Sequence, residues 1–242
     1  MSAVPVVPVV AVIIEVGKRR TFAQAVGWPG WCRAGKGEAE ALAALATYVG
    51  RYRSVMGDIA AGLAVGPRRL EVVERVAGDA TTDFGAPGKA AAADREPLAA
   101  AEPGRLAACL DAAWLAMDAT LATIPEDVRE AKPEVGRSAM AMWLHVGGAE
   151  RAYLSPLLTQ LKALGADGAE AFKAPRLSDP ALPEQVRQVR AAFHTALTML
   201  PAGVRFEGPV EGNVRPAPYW ARRATWHVLD HVWQLEDRGR PS

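Results

Sequence analysis

Three of the four histidines in this 242-residue chain have a spacing that could place them around one metal ion. His227 and His231 are four residues apart in the segment WARRATWHVLDHVWQLEDR, whose pattern predicts a helix. Residues four apart share one face of a helix, and two imidazoles one turn apart can bind the same divalent ion. By itself this spacing is a modest signal, because partly exposed histidines with no ligand role show it too.

His145 is the third candidate ligand, and it lies in the segment MAMWLHVGGAERAYLSPLL. The segment predicts a second helix whose inward face carries the apolar residues Met140, Leu144, Tyr153, Leu154 and Leu157. Metal sites in helical bundles are built from side chains on facing helices. Three neutral imidazoles would also leave an open coordination position, which distinguishes a catalytic site from a closed structural one. We therefore predict that His145, His227 and His231 bind one divalent metal ion.

Other polar residues near these segments allow two interpretations each. The fourth histidine, His194, is interpreted as structural or exposed. Asp230 could orient a ring nitrogen of a ligand histidine, or it could be a solvated acid. Arg222 and Arg223 could bind an anionic group of a substrate, or they could belong to a charged helix face. Cys32 could be a thiol nucleophile, although a lone cysteine without a histidine nearby in sequence usually has no such role.

The elements that must position the histidines follow a smaller N-terminal part of the chain. Residues 9–16 read VVAVIIEV, which is typical of a buried strand, and residues 21–26 could pair back onto it as a hairpin. An amphipathic helix is predicted over residues 38–56, and another strand over residues 70–76. Residues 1–80 are therefore predicted to form a small mixed α/β domain with the order ββαβ.

Residues 78–97 are rich in Gly, Ala, Asp, Thr and Pro and lack periodicity, which predicts a linker that is open to proteolysis. Four helical stretches follow it, with Pro or Gly at each join: residues 98–124, 133–164, 183–200 and 218–238. Four helices of this length favour an antiparallel four-helix bundle over residues 97–242, with one longer connection between the second and third helices. The fold class predicted for the whole chain is α+β.

Composition narrows the range of partners. The chain has 28 basic and 27 acidic residues, so bulk charge would hold neither a nucleic acid nor an anionic membrane, and we expect neither as a partner. Only two cysteines are present, which argues against a disulfide framework and favours the cytoplasm. The apolar start has no basic region and is interrupted by Pro5 and Pro8, so it is interpreted as a strand and not as a signal peptide.

The segments LHVGGAERAYL and WHVLDHVWQLEDR resemble the DinB-like superfamily, four-helix bundles with one histidine on the second helix and an HxxxH pair on the fourth. The positions that match are His145, His227 and His231, and the resemblance covers about three fifths of the chain. It implies a divalent ion, with zinc most expected and nickel or iron as alternatives, and often a homodimer. Characterised relatives include thiol-dependent enzymes such as mycothiol-dependent maleylpyruvate isomerase, which has a glutamate in place of one histidine.

The N-terminal segment GWPGWCRAGKGEAEALAAL, with the strand before it and the helix it begins, resembles the HicB-like antitoxin fold. We carry over the fold and not the toxin-binding function, because no appendage for a toxin or DNA is recognisable. Two functions are then open. One is a metal-dependent enzyme that activates water or a low-molecular-weight thiol for hydrolysis or thiol transfer on a small molecule. The other is a non-catalytic, metal-stabilised binding or stress-response module whose N-terminal domain recruits a partner protein.

Overall fold

The computed structural model describes residues 7–64, 66–172, 183–206 and 215–238. The chain forms two compact units, Met1–Ala93 and Asp94–Ser242. The first unit contains a mixed sheet and the second is helical, which confirms the predicted α+β class.

The sheet of the first unit has four strands: β1 (Val9–Val16), β2 (Thr21–Ala25), β3 (Cys32–Gly35) and β4 (Arg69–Ala77). Their order across the sheet is β3-β2-β1-β4, with β4 parallel to β1 and the other pairs antiparallel. The predicted order ββαβ omitted β3 and was wrong on that point. The sequence CRAG has no β-branched or aromatic residue, so only its backbone pairing with β2 identifies it as a strand.

The predicted helix over residues 38–56 is two helices, α1 (Glu38–Thr47) and α2 (Val49–Met56), followed by a 3-10 turn at Gly57–Ala60. Trp31 fixes the corner that precedes β3. Its indole N–H donates to the carbonyl of Leu45 at 2.9 Å, and its ring stacks on Tyr52 with centroids 5.8 Å apart. The Tyr52 hydroxyl donates to the Pro29 carbonyl at 3.1 Å, so the Trp-Pro-Gly-Trp corner is tied to both helices.

Residues 78–91, predicted to belong to a linker, pack in the first unit. They include α3 (Ala80–Phe84). Asp79 caps the N-terminus of this helix, because its side chain accepts hydrogen bonds from Thr81 N and Thr82 N. The anchor is the buried carboxylate of Glu15, which accepts from Thr82 Oγ1 at 2.5 Å, Gly88 N at 2.8 Å and Lys89 N at 3.0 Å. Asp83 of this segment also accepts from Arg19 N at 2.7 Å, and Gly78 N donates to the Val16 carbonyl at 2.8 Å. Polar contacts of this kind leave no apolar periodicity in the sequence.

The second unit begins with a 3-10 turn that continues from the first (Ala92–Arg95) and contains five helices: α4 (Glu102–Thr123), α5 (Glu126–Arg129), α6 (Ala139–Ala163), α7 (Pro183–Thr198) and α8 (Ala217–Arg238). The four long helices were predicted, with ends that differ by a few residues; the short α5 was not. Both α4 and α6 pack against α7 and α8. The helices therefore surround one apolar core in the order α4-α8-α6-α7, and its members include Leu110, Met117, Val146, Phe193 and Val232.

By length and composition, α4 could cross a membrane, since its most apolar 18-residue window has a mean hydropathy of 1.3. However, 44% of that window is buried inside the protein, and α4 packs against α7 and α8. A core helix passes the same test, so α4 is weak evidence for a membrane span.

A buried polar cluster joins α4, α6 and α7 beside this core. Glu150 is fully buried and accepts a hydrogen bond from the indole N–H of Trp114. Its other oxygen lies 3.8 Å from Nε of Arg190, whose Nη1 is 2.9 Å from both oxygens of Asp118. The indole N–H of Trp143 also donates to Asp118 at 2.7 Å. Burial raises the pKa of Glu150 to about 7, and the charge of Arg190 and the Trp114 hydrogen bond only partly oppose this.

We expect Glu15→Ala to release residues 78–91 from the first unit. The substitution leaves three donors without their acceptor, and each buried donor left unpaired costs about 1–3 kcal/mol. Limited trypsin digestion followed by mass spectrometry should then show early cleavage after Lys89, which the parent protein resists. Glu71→Ala, which removes an exposed acid on β4, is the control and should behave like the parent. Early cleavage of the parent after Lys89 would contradict this attachment.

Glu150 should make the stability of the second unit depend on pH. Its pKa is raised in the folded state, so its contribution is fully present below the unfolded pKa near 4.5 and is lost as the pH rises through about 7. The loss is on the order of 3 kcal/mol. Glu150→Gln should remove this part of the dependence, measured by urea unfolding at pH 5 and pH 7.5 with tryptophan fluorescence. The exposed Glu184→Gln should retain it, and an unchanged pH dependence in Glu150→Gln would contradict the assignment.

Candidate metal centre

Helices α6 and α8 position the three histidines through an antiparallel register. His145 of α6 contacts His227 and His231 of α8, and eight residues later Tyr153 of α6 stacks on Trp220, with ring centroids 5.7 Å apart. The two helices therefore run in opposite directions. The Tyr153 ring also meets the His227 ring edge to face, with centroids 6.1 Å apart, and so supports the ligand from the side facing Trp220.

The three imidazoles form one compact cluster. The ring centroid of His145 lies 5.1 Å from that of His227 and 5.3 Å from that of His231. The ring centroids of His227 and His231 are 4.7 Å apart. One nitrogen from each ring can be chosen so that all three lie within 4.8 Å of one another. His227 is buried, and the other two are half-buried, so the cluster reaches solvent on the side of His145 and His231.

This donor set fits a divalent transition-metal ion. Zinc binds imidazole nitrogen at about 2.0–2.1 Å, which in tetrahedral geometry places two ligand nitrogens about 3.3 Å apart. The Nε2 atoms of His227 and His231 are 3.2 Å apart, which is already close to that separation. The third nitrogen lies within 4.8 Å of the others, so the three are close enough to share one ion. Three imidazoles and no thiolate suit zinc, nickel or iron.

The surroundings keep the three rings in the neutral form that can donate a lone pair. Burial lowers the pKa of His145 to about 4, with contributions from Arg137 and His231. Burial also holds the pKa of His227 well below its ordinary range, and nearby His231 and Arg223 act in the same direction. The pKa of His231 is lowered mainly by burial, although its contact with Gln234 and the charge of Asp230 oppose the shift. All three rings are therefore available to a metal at neutral pH.

The second ring nitrogens differ in their support. Nδ1 of His231 lies 3.0 Å from Oε1 of Gln234, which can accept its proton and leave Nε2 free to bind an ion. Nδ1 of His227 is buried and has no hydrogen-bond partner in the described chain. Asp230, the candidate for this orienting role from the sequence, acts on His231 through its charge, and Gln234 contacts Nδ1 of His231. Gln234 is three residues after His231 and so lies on the same face of the helix, a spacing that could have identified it.

The face of α6 that carries His145 is not the face that fills the bundle core. The predicted inward set is wrong for Met140, Leu144 and Tyr153, which are only half-buried. Leu154 and Leu157 are buried as predicted, and the other buried apolar positions of α6 are Ala139, Met142, Trp143, Val146, Leu158 and Leu161. The histidine cluster therefore lies along the contact between α6 and α8, with His145 and His231 half-buried at the surface.

The remaining polar candidates lie in other contacts. His194 is outside the cluster, and its Nδ1 is 2.8 Å from Oδ2 of Asp111 on α4. Arg222 forms a bidentate ion pair with the buried Asp94: its Nε donates to Oδ1 at 3.0 Å and its Nη2 donates to Oδ2 at 2.6 Å. This pairing argues against a role of Arg222 in binding a substrate. Arg223 is buried, with its guanidinium carbon 4.9 Å from the centre of the Trp226 ring.

Neither Cys32 nor Cys109 forms a disulfide, and both are buried. Burial raises the pKa of Cys109 to about 11, so it stays a neutral thiol in the core. Cys32 lies in β3 of the first unit and pairs through its backbone with Gln24. Neither thiol belongs to the histidine cluster.

Comparisons with protein-family models, curated proteins and solved structures found no match to this chain. The geometry of the cluster therefore carries the functional argument, and the resemblances to the DinB-like and HicB-like families stay proposals.

We expect His145→Ala, His227→Ala and His231→Ala each to abolish stable metal binding, because two imidazoles alone hold a divalent ion weakly. Metal content measured by elemental analysis after dialysis should fall from about one ion per chain to less than about a tenth. The bundle should stay folded, since buried apolar residues supply most of its stability, but the zinc-dependent rise in melting temperature should disappear.

His194→Ala is the matched control, because it removes an imidazole from the same bundle outside the cluster. It should retain the metal content of the parent. Full metal content in His145→Ala, or loss of metal in His194→Ala alone, would show that a different set of residues binds the ion.

Proposed function

We propose that the protein is a metal-dependent enzyme that activates water or a low-molecular-weight thiol for hydrolysis or thiol transfer on a small molecule. The observation that carries this proposal is the cluster of three neutral imidazoles within 4.8 Å that is open on one side. A structural site normally surrounds its ion with four protein ligands, whereas three protein ligands with an open position are typical of catalysis.

The residues of the chain divide the work between them. His145, His227 and His231 would hold the ion, and Gln234 would fix the tautomer of His231. Tyr153 and Arg223 close the side of the site toward Trp220. Tyr153 stacks on Trp220 and meets His227 edge to face, and the guanidinium carbon of Arg223 lies 5.7 Å from the centre of the Tyr153 ring. When bound, the ion would act as a Lewis acid and lower the pKa of a water or thiol, so that the deprotonated nucleophile exists at neutral pH.

The proposal extends to family and setting. Four long helices with one histidine on the second and an HxxxH pair on the fourth support membership of the DinB-like superfamily. The small sheet with two helices supports a HicB-like first unit, though β3 adds a strand to the predicted pattern. Two buried cysteines that form no disulfide agree with the reducing environment of the cytoplasm. A homodimer is proposed from the resemblance to the DinB-like superfamily.

The enzyme proposal predicts metal-dependent turnover. Zinc-, nickel- and iron-loaded protein should each be assayed for hydrolysis of 4-nitrophenyl acetate and for conjugation of 1-chloro-2,4-dinitrobenzene with cysteine or glutathione. We expect at least one metal form to exceed the metal-free protein, and His227→Ala to fall to the metal-free rate because it cannot hold the ion. His194→Ala should keep the parent rate.

Two outcomes would contradict the proposal. Turnover that survives in His227→Ala would place the chemistry elsewhere. Stoichiometric metal with no turnover of either probe in any metal form would instead favour the non-catalytic module, in which the metal stabilises the bundle and the N-terminal domain recruits a partner.

A further inference from the structure

A cavity of about 710 Å³ opens beside one end of the α6/α8 pair. Its wall is formed by the last turns of α4, by α5 and the loop after it, by the first residue of α6 and by the last turn of α8. Ile124, Val128 and Leu235 make most of this wall apolar. Cavities of this size are typical of sites for small organic molecules.

The apolar character of this region extends to its surface. Val128 is 45% exposed, and Val135, in the loop that follows α5, is 85% exposed. Exposed valines close to an apolar cavity leave a surface that a ligand with a hydrocarbon body could cover. The polar side chains among the lining residues are Thr120, Thr123, Glu236 and Arg238, of which Arg238 is the only cation.

One cation lines the cavity and is held by the backbone opposite. Nη1 of Arg238 donates to the carbonyl of Arg137 at 2.8 Å. Gly136 adopts a φ of +94°, and a Cβ built there would lie 3.2 Å from Nη2 of Arg238, so the loop closes tightly around the guanidinium. Within the described chain, neither Arg137 nor Arg238 forms an ion pair with a carboxylate.

The same cation is placed by its helix on the side that carries the histidines. Arg238 is seven residues after His231, or about two helical turns, and therefore lies on the face of α8 that carries the histidines. The charges of Arg137 and Arg238 both act to lower the pKa of His231, which agrees with this placement. Arg238 thus lines the cavity and lies about 10 Å along the same face of α8 from His231. A cation in a last helical turn also complements the helix dipole, but that role requires no apolar cavity beside it.

We propose that the substrate of the metal centre is an organic carboxylate with an apolar body, which places the body in this cavity and the carboxylate on Arg238. The inference rests on the proposed function for the word substrate, while binding of the acid can be measured by itself. Guanidinium and carboxylate form strong, geometrically specific hydrogen bonds, and the cavity supplies a wall for the hydrocarbon. The bound carboxylate would then lie toward the open side of the histidine cluster.

Calorimetric titration of the zinc-loaded full chain with three probes tests the chemistry of the ligand. Decanoate has both the charge and the body, decanamide has the body without the charge, and acetate has the charge without the body. We expect decanoate, below its aggregation concentration, to bind about five- to tenfold more tightly than decanamide, because a hydrogen bond to a charged group exceeds one to a neutral group. Acetate should show no binding. Equal affinity for decanoate and decanamide would overturn the carboxylate assignment.

Variants locate the site. Arg238→Gln should bring the affinity for decanoate down to that for decanamide, and leave decanamide unchanged. Ala119→Trp, at an exposed position of the wall, should fill the cavity and abolish binding of both long probes. Arg151→Gln removes an exposed arginine of α6 that does not line the cavity, and should match the parent. Unchanged decanoate binding in Arg238→Gln and Ala119→Trp would mean that the acid binds elsewhere and would overturn the inference.

Metal content separates this inference from the proposed function. Zinc-loaded parent that fails to bind decanoate would overturn the inference and leave the metal centre intact. Parent that binds decanoate through Arg238 yet retains no zinc, nickel or iron would overturn the proposed function, and would support the carboxylate site as a binding site of its own.

Discussion

The candidate centre depends on the cost of placing a charged imidazole in a poorly solvated environment. Three histidines can share an ion only when each has lost its second proton, and protons at neutral pH compete for the same lone pairs. Burial between α6 and α8 removes that competition by lowering the pKa of all three rings, to about 4 for His145. Neighbouring arginines add to the effect, so cations and apolar walls together favour neutral nitrogen donors.

The rest of the second unit fixes the register that makes this burial possible. His145 meets the α8 pair only because α6 and α8 run in opposite directions with Tyr153 against Trp220. The opposite side of α6 is held by the bundle core and by Glu150, which meets Arg190 of α7 and Trp114 of α4. Helix α6 is therefore restrained on its inner face by packing and polar contacts, while its outer face is free to present a ligand.

Sequence patterns predicted the histidine cluster well and its surroundings poorly, for physical reasons that differ between residues. Helical geometry places the two histidines of an HxxxH pair on one face, and His145 on a second helix completes the cluster. The buried face of α6 was misplaced, because Met140, Leu144 and Tyr153 are apolar enough to suggest a core stripe although they flank the site. Strand β3 and the attachment of residues 78–91 depend on backbone pairing and on polar contacts, those of the buried Glu15 among them, neither of which leaves an apolar period. The order of the helices around the core, α4-α8-α6-α7, depends on tertiary packing, which no local sequence pattern encodes.

The uneven support of the two α8 histidines bears on how firmly an ion would be retained. Gln234 anchors the ring of His231, but the buried Nδ1 of His227 has no acceptor in the described chain. Outer partners of this kind typically contribute 10- to 100-fold in metal affinity. Loss of the Gln234 contact would therefore weaken retention of the ion without removing any of its three ligands. How firmly the ion is held would then depend on a side chain that does not touch it.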